Sequence, residues 1–264
     1  MLTALKYIVL LMIPVIIFSG CGLQRKLLYY PGALPDDELR AGGLKFWPSE
    51  KDYRGLVSTN EVNDKKGVVI VFHGNAGAAG HRTYYIKFLE SIGYKVILAE
   101  YPAYGGRTGK LGEESFVNDA KETIRLANEK FGEPVFLLGE SLGCGVVSAV
   151  VNDKSVKVNG IVLVTPWDTL LAISRSHFPF LPIKWFMKDM YDNIGNLRSF
   201  QGRIAIIGTA RDEVIPVKHA AELYKTLSCI KKMWIIGDAG HNDWPMVMTA
   251  QHWEKIMDFV RGNE

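Results

Sequence analysis

Phe136-Leu137-Leu138-Gly139-Glu140-Ser141-Leu142-Gly143-Cys144-Gly145 ends an apolar run on a hydroxyl held between glycines. Pro134 to Leu138, upstream, reads as a buried strand, and Leu142 to Val151, apolar on all sides, reads as a buried helix. A serine at a sharp strand-to-helix turn is lifted into the open, and glycines two positions to either side let the backbones of strand, turn and helix approach closely. A serine that merely caps a buried helix has the same spacing, so the surrounding chain must decide between the two.

From about residue 66 onward the chain alternates two periods. Short apolar runs suited to fully buried parallel strands occur at Val68 to Phe72, Lys95 to Ala99, Pro134 to Leu138, Gly160 to Val164, Arg203 to Ile207 and Lys232 to Ile236. Between them, Phe116, Ala120, Ile124, Ala127 and Phe131 recur at helical spacing, as do Ala250, Trp253, Met257 and Val260 near the end. This rhythm predicts an α/β fold: a mostly parallel central sheet with helices on both faces. Sites in such sheets form beyond the carboxyl ends of the strands. The loops after each run are therefore where chemistry belongs.

A serine hydroxyl is a weak nucleophile at neutral pH and needs a positioned base, itself held in the right tautomer by a third group. His241 follows the last strand, in Gly237-Asp238-Ala239-Gly240-His241-Asn242-Asp243. His219 and His252 fall in predicted helices and read as ordinary surface or packing residues, while His177 lies in an insertion with no scaffold to fix it. Asp212, in the loop after the penultimate strand, is the expected acid. Glu213, Asp238 and Asp243 are its rivals; the last two lie so close to His241 in one tight loop that their carboxylates are poorly placed to receive its ring nitrogen. An oxyanion needs preorganised donors, usually two backbone N–H groups. The expected pair is Leu142, directly after the serine, and Asn75, in the glycine-rich turn His73-Gly74-Asn75-Ala76-Gly77, which on its own reads equally as simple chain reversal.

With 264 residues and 48% hydrophobic content the chain can bury a large single core. The net charge of +3 is scattered, leaving no basic stripe for nucleic acid. No Cys/His cluster has metal-ligand spacing, so no metal is expected. Gly105 to Lys110 imitates a phosphate loop, but Tyr104 stands at its start and Leu111 where Ser or Thr is required. No dinucleotide fingerprint follows the first strand, and no cofactor is expected. Cys144 and Cys229 sit in apolar surroundings and read as free thiols, a bridge between them being the lesser alternative.

The N-terminus differs in kind. Tyr7 to Phe18 is an apolar run of the length of a signal-peptide core, shorter than a membrane span, and it leads through Ser19 and Gly20 into Cys21. This resembles the lipobox of bacterial lipoproteins, with an uncleaved anchor helix as the alternative. The resemblance implies a signal peptide over residues 1–20, lipidation of Cys21, and attachment to the bacterial cell envelope. Gly22 stands where an aspartate would retain many lipoproteins in the inner membrane, so the implied location is the outer membrane, facing the periplasm.

Beyond the serine motif, Leu27-Leu28-Tyr29-Tyr30-Pro31, His73-Gly74-Asn75, Tyr101-Pro102-Ala103-Tyr104-Gly105 and Gly240-His241-Asn242-Asp243 resemble the α/β-hydrolase superfamily. The likeness is to its small serine hydrolases, depalmitoylating thioesterases and serine aminopeptidase-like members. Two departures from the family pattern are Gly208, one residue further from Asp212 than usual, and Gly202-Arg203, where a proline commonly opens the strand. The resemblance implies a hydrolase domain over residues 21–264 that cleaves acyl esters or thioesters through Ser141, Asp212 and His241. An amidase or peptidase with the same three residues, or a non-catalytic envelope protein of this fold, are the alternatives. Residues 165–200 are too long for a simple strand-helix connection and rich in apolar side chains, and they are expected to form a lid. Phe178, Phe180 and Trp185 are the expected substrate-binding residues there.

Overall fold

The computed structural model describes residues 24–62 and 65–263. The signal peptide and Cys21 expected from the sequence lie outside them. Among the described residues ten strands are present: β1 (Tyr30–Pro31), β2 (Leu44–Pro48), β3 (Tyr53–Ser58), β4 (Gly67–Phe72), β5 (Ala76–Gly77), β6 (Tyr94–Ala99), β7 (Val135–Glu140), β8 (Gly160–Val164), β9 (Arg203–Thr209) and β10 (Lys231–Ile236). Eight of them form one sheet in the order β10-β9-β8-β7-β4-β6-β3-β2. Pairing is parallel from β10 to β6 and antiparallel only where β3 meets β6 and β2 meets β3.

The central strands show why a continuous apolar run, rather than an alternating one, was the right signal. Successive side chains on a strand point to opposite faces. On β7, Val135 and Leu137 enter one core while Phe136 and Leu138 enter the other. On β8, Ile161 and Leu163 oppose Val162 and Val164 in the same way. Around the sheet lie helices α1 (Asp36–Ala41), α2 (Thr83–Glu90), α3 (Glu113–Phe131), α4 (Leu142–Val151), α5 (Leu170–His177), α6 (Asn193–Leu197), α7 (Lys218–Thr226) and α8 (Ala250–Arg261). Phe116, Ala120 and Ile124 of α3 pack on one face with α4, and Tyr85, Leu89, Trp253 and Met257 from α2 and α8 pack on the other. The fold is that of an α/β-hydrolase, as the resemblance implied.

Edge strand β2 and its neighbour β3 were not read from the sequence. Their residues, LKFWP and YRGLVS, mix charge, glycine and proline with apolar side chains, which breaks up the apolar run. The predicted strand starting at Pro134 begins instead at Val135 and runs through Gly139 to Glu140. In the insertion, α5 stops at His177, just before Phe178-Pro179, where the proline ring disfavours helix for the residue ahead of it. A single 3₁₀ turn, Ile183–Trp185, follows.

Candidate active site

Ser141 sits at the carboxyl end of β7 with φ 51° and ψ −113°, a left-handed conformation that a side-chain-bearing residue adopts only when its surroundings enforce it. Its N–H donates to the Val164 carbonyl at 2.9 Å, tying the turn to the neighbouring strand. The flanking glycines are required by proximity. A Cβ on Gly139 would stand 2.6 Å from the Gly143 carbonyl oxygen, and one on Gly143 would overlap the Phe72 carbonyl. The turn therefore wedges α4 directly against the ends of β4 and β7.

Three strand ends bring Ser141, His241 and Asp212 into one hydrogen-bonded line. His241 Nε2 lies 3.0 Å from Ser141 Oγ, and His241 Nδ1 lies 2.8 Å from Asp212 Oδ2. Asp212 is held from its other side as well: Oδ1 accepts the N–H groups of Val214 (2.9 Å) and Ile215 (2.6 Å), and Oδ2 accepts the Thr209 hydroxyl (3.1 Å). Burial works against its charge, but the His241 contact, the Ile215 N–H and the Thr209 hydroxyl outweigh it, and its carboxyl titrates below the usual range. The rival acids are engaged elsewhere. Asp238 pairs with Arg211, and Asp243 accepts the Gly240 N–H at 2.6 Å.

Ser141, Asn75 and Leu142 share the wall of a cavity of about 790 Å³. Leu142 is the first residue of α4, where a backbone N–H has no partner within the helix. The Asn75 turn is held by its own contacts: its carbonyl accepts the Tyr30 N–H (2.9 Å) and the Tyr104 hydroxyl (2.7 Å), and its side-chain amide donates to Leu28 O (3.0 Å). Its glycines thus belong to a fixed structure rather than to simple chain reversal. The rest of the wall is apolar, including Trp167, Leu170, Ile173, Phe186, Met187 and Ile215.

Of the three lid residues expected to bind substrate, Phe178 lines this cavity. Phe180 and Trp185 do not: they are 97% and 79% exposed and turn away from it. The correction has a physical cause. With Pro179 and Pro182 breaking regular structure, the segment carries no amphipathic period from which an inward face could be read. Trp167 and Leu170, at its start, are buried instead, Trp167 by donating from Nε1 to Tyr191 O at 3.1 Å. His177 is not unsupported, since its Nε2 lies 3.2 Å from Val214 O at the cavity wall.

Two buried polar clusters beneath the site escaped the sequence reading. Glu140, immediately before the serine, accepts from the Arg82 guanidinium (3.1 Å) and from the hydroxyls of Tyr84 (2.6 Å) and Tyr85 (3.0 Å). Burial opposes its charge, yet Arg82 and the two phenols hold its carboxyl below the usual range. His73 bridges Glu100 (2.9 Å) and the Gly74 carbonyl (2.7 Å), fixing the turn that carries Asn75. The only signal for either was an acidic or imidazole side chain inside an apolar run, where an unpaired charge would be costly. Cys144 is a free, buried thiol whose pKa burial raises, and Cys229 is free and half-buried. Among the described residues no group of three or more His, Cys, Asp or Glu has the arrangement of a metal site.

Comparison with known proteins agrees with this architecture. Residues 63–188 match the family model described as serine aminopeptidase, S33. An uncharacterized protein of Mycobacterium tuberculosis is 26% identical over 83% of this chain and 81% of its own length. The lysophosphatidylserine lipase ABHD12 of Gallus gallus is 25% identical over 77% of this chain, which spans 59% of that relative. Among solved structures, the Pyrococcus furiosus esterase Pf2001 superposes with a TM-score of 0.63 at 17% identity, covering 88% of this chain and 98% of that one.

Proposed function

We propose that this chain, which has the α/β-hydrolase fold, is a serine hydrolase of acyl esters or thioesters. The observation that carries this reading is the line from Asp212 through His241 to Ser141, ending at an apolar cavity. Ser141 Oγ attacks the acyl carbonyl carbon while His241 Nε2 takes its proton. The N–H groups of Asn75 and Leu142 receive the oxyanion. Collapse of the tetrahedral intermediate expels the alcohol or thiol, protonated by His241, and leaves an acyl-serine. His241 then deprotonates a water that attacks this ester, releasing the carboxylic acid and restoring the serine.

The cavity wall supports an acyl chain rather than a peptide. Each buried methylene contributes about 0.8 kcal/mol, so three further carbons, if fully buried in the transition state, raise kcat/KM by roughly 50-fold. A lipase and an esterase among the similar proteins support the same reading, whereas the aminopeptidase description of the family model favours an amide. A series of p-nitrophenyl esters from acetate to decanoate, run beside peptide amides, decides between them. Rising kcat/KM with chain length is expected, and faster cleavage of the amides would overturn the acyl-ester reading.

The protein is further proposed to be a lipid-anchored envelope lipoprotein, on the sequence Phe18-Ser19-Gly20-Cys21. Wild type should incorporate a fatty-acyl label in a bacterial host and Cys21→Ser none. Equal incorporation in both would exclude Cys21 as the lipid site.

A further inference from the structure

The lid carries large apolar side chains that the active site does not use. Phe180 and Trp185 are 97% and 79% exposed, and Leu27, Phe178, Leu181 and Val214 are each about half exposed while also lining the cavity. Side chains of this size are seldom left in water together, and a contiguous group of them marks an interaction surface. Four of these six side chains border the cavity mouth.

Charge and chain path identify the occupant. From Thr169 to Lys188 the sequence has no acidic residue but contains Arg175, Lys184 and Lys188, all exposed. None occurs from Met1 to Pro35 either, a stretch that includes exposed Lys26. Aromatic tips flanked by basic side chains match the two layers of a lipid surface, apolar chains beneath anionic headgroups. The lid is also fastened to the point where the N-terminal segment joins the domain. Gln24 accepts the N–H groups of Lys188 (2.8 Å) and Asp189 (3.1 Å) and donates to Asp189 O (2.7 Å), and Tyr29 donates to Asp189 Oδ2 (2.9 Å). The apolar run Tyr7 to Phe18 ends only a few residues before Gln24. A membrane that holds the N-terminus therefore lies beside the lid.

We propose that the Phe178–Lys188 segment docks on an anionic lipid bilayer, with Phe180 and Trp185 inserted at the interface and the cavity mouth seated on it. An acyl chain then passes from bilayer to Ser141 along Phe178 and Leu181 without crossing water. This deepens the acyl-hydrolase reading and rests on it for the identity of the cargo, but the docking is measurable without turnover. No helix among the described residues is long and apolar enough to span a membrane.

The six tryptophans make the test specific. Trp47, Trp167, Trp244 and Trp253 are buried, Trp234 is half-buried, and none lies in residues 1–23, so Trp185 alone is exposed. Full-length protein is bound to phosphatidylcholine/phosphatidylglycerol vesicles whose acyl chains are brominated, and its emission is compared with that of Trp185→Phe, which keeps an aromatic tip. Bromine should quench a component of the wild-type emission that the variant lacks. Equal fractional quenching in the two proteins, with or without self-association through this face, overturns the proposal. Lost esterase activity with the quenching difference intact would instead count against the catalytic reading alone.

Discussion

Replacing Ser141 with alanine is expected to lower kcat by about 10⁵-fold or more and to abolish labelling by a fluorophosphonate probe, while the protein stays folded. The side chain's hydrogen bond is to His241 Nε2, and the turn is held by backbone contacts that alanine keeps: Ser141 N to Val164 O and Cys144 N to Ser141 O, both 2.9 Å. Stability should thus change by no more than about 1 kcal/mol, in either direction, since strained catalytic positions are often stabilised when their function is removed. The apolar cavity and the two N–H groups proposed to receive the oxyanion remain, so an acyl ester should still bind with similar affinity. Turnover within tenfold of wild type, measured with the same protein shown folded by thermal melting, would mean that another group is the nucleophile.

The central sheet was legible because burial on both faces leaves a strand no composition except an apolar one. Gly160 to Val164 coincides with β8 for that reason. At β2, on the sheet's edge, and at β3 beside it, the pattern is diluted by Lys45, Arg54 and Gly55 and disappears into the loops around it. The positions of Ser141, Asp212 and His241 were legible for a different reason. Each lies just past a strand that the apolar run marks, and a parallel sheet gathers its strand ends on one side.

The orientation of side chains in the 165–200 insertion and the buried ion clusters were not legible, and again the reason is physical. Glu140 reads as the variable position of a five-residue motif, and its partners Arg82, Tyr84 and Tyr85 are more than fifty residues earlier, joined to it only by packing of α2 against the sheet. No local period encodes such a pairing. In the lid, hydrophobicity located the segment but not its orientation. Phe178 and Phe180 are two residues apart and equally apolar, yet one lines the cavity and the other meets solvent, because Pro179 between them removes the helix that would have fixed their faces.

Asp212→Asn should leave the fold in place and reduce kcat by about 10⁴-fold. Asn retains one carbonyl oxygen to accept the Val214 and Ile215 N–H groups, so its amide nitrogen faces His241 Nδ1. That nitrogen donates, which forces the ring proton onto Nε2, the atom 3.0 Å from Ser141 Oγ. The imidazole then presents a donor where it must accept, and the serine keeps its proton. Stability gives an independent readout. The Asp212 carboxyl has a lower pKa in the folded state than in the unfolded chain, so its contribution is complete above the unfolded value and is lost as pH falls through the folded one. Urea denaturation across the acidic range should therefore show wild type losing stability with falling pH more steeply than Asp212→Asn, whose amide does not titrate. A rate loss of tenfold or less would transfer the orienting role to another carboxylate, with Glu213 the first to test. Parallel acid-denaturation curves would show that the charge on Asp212 is not what the folded state holds.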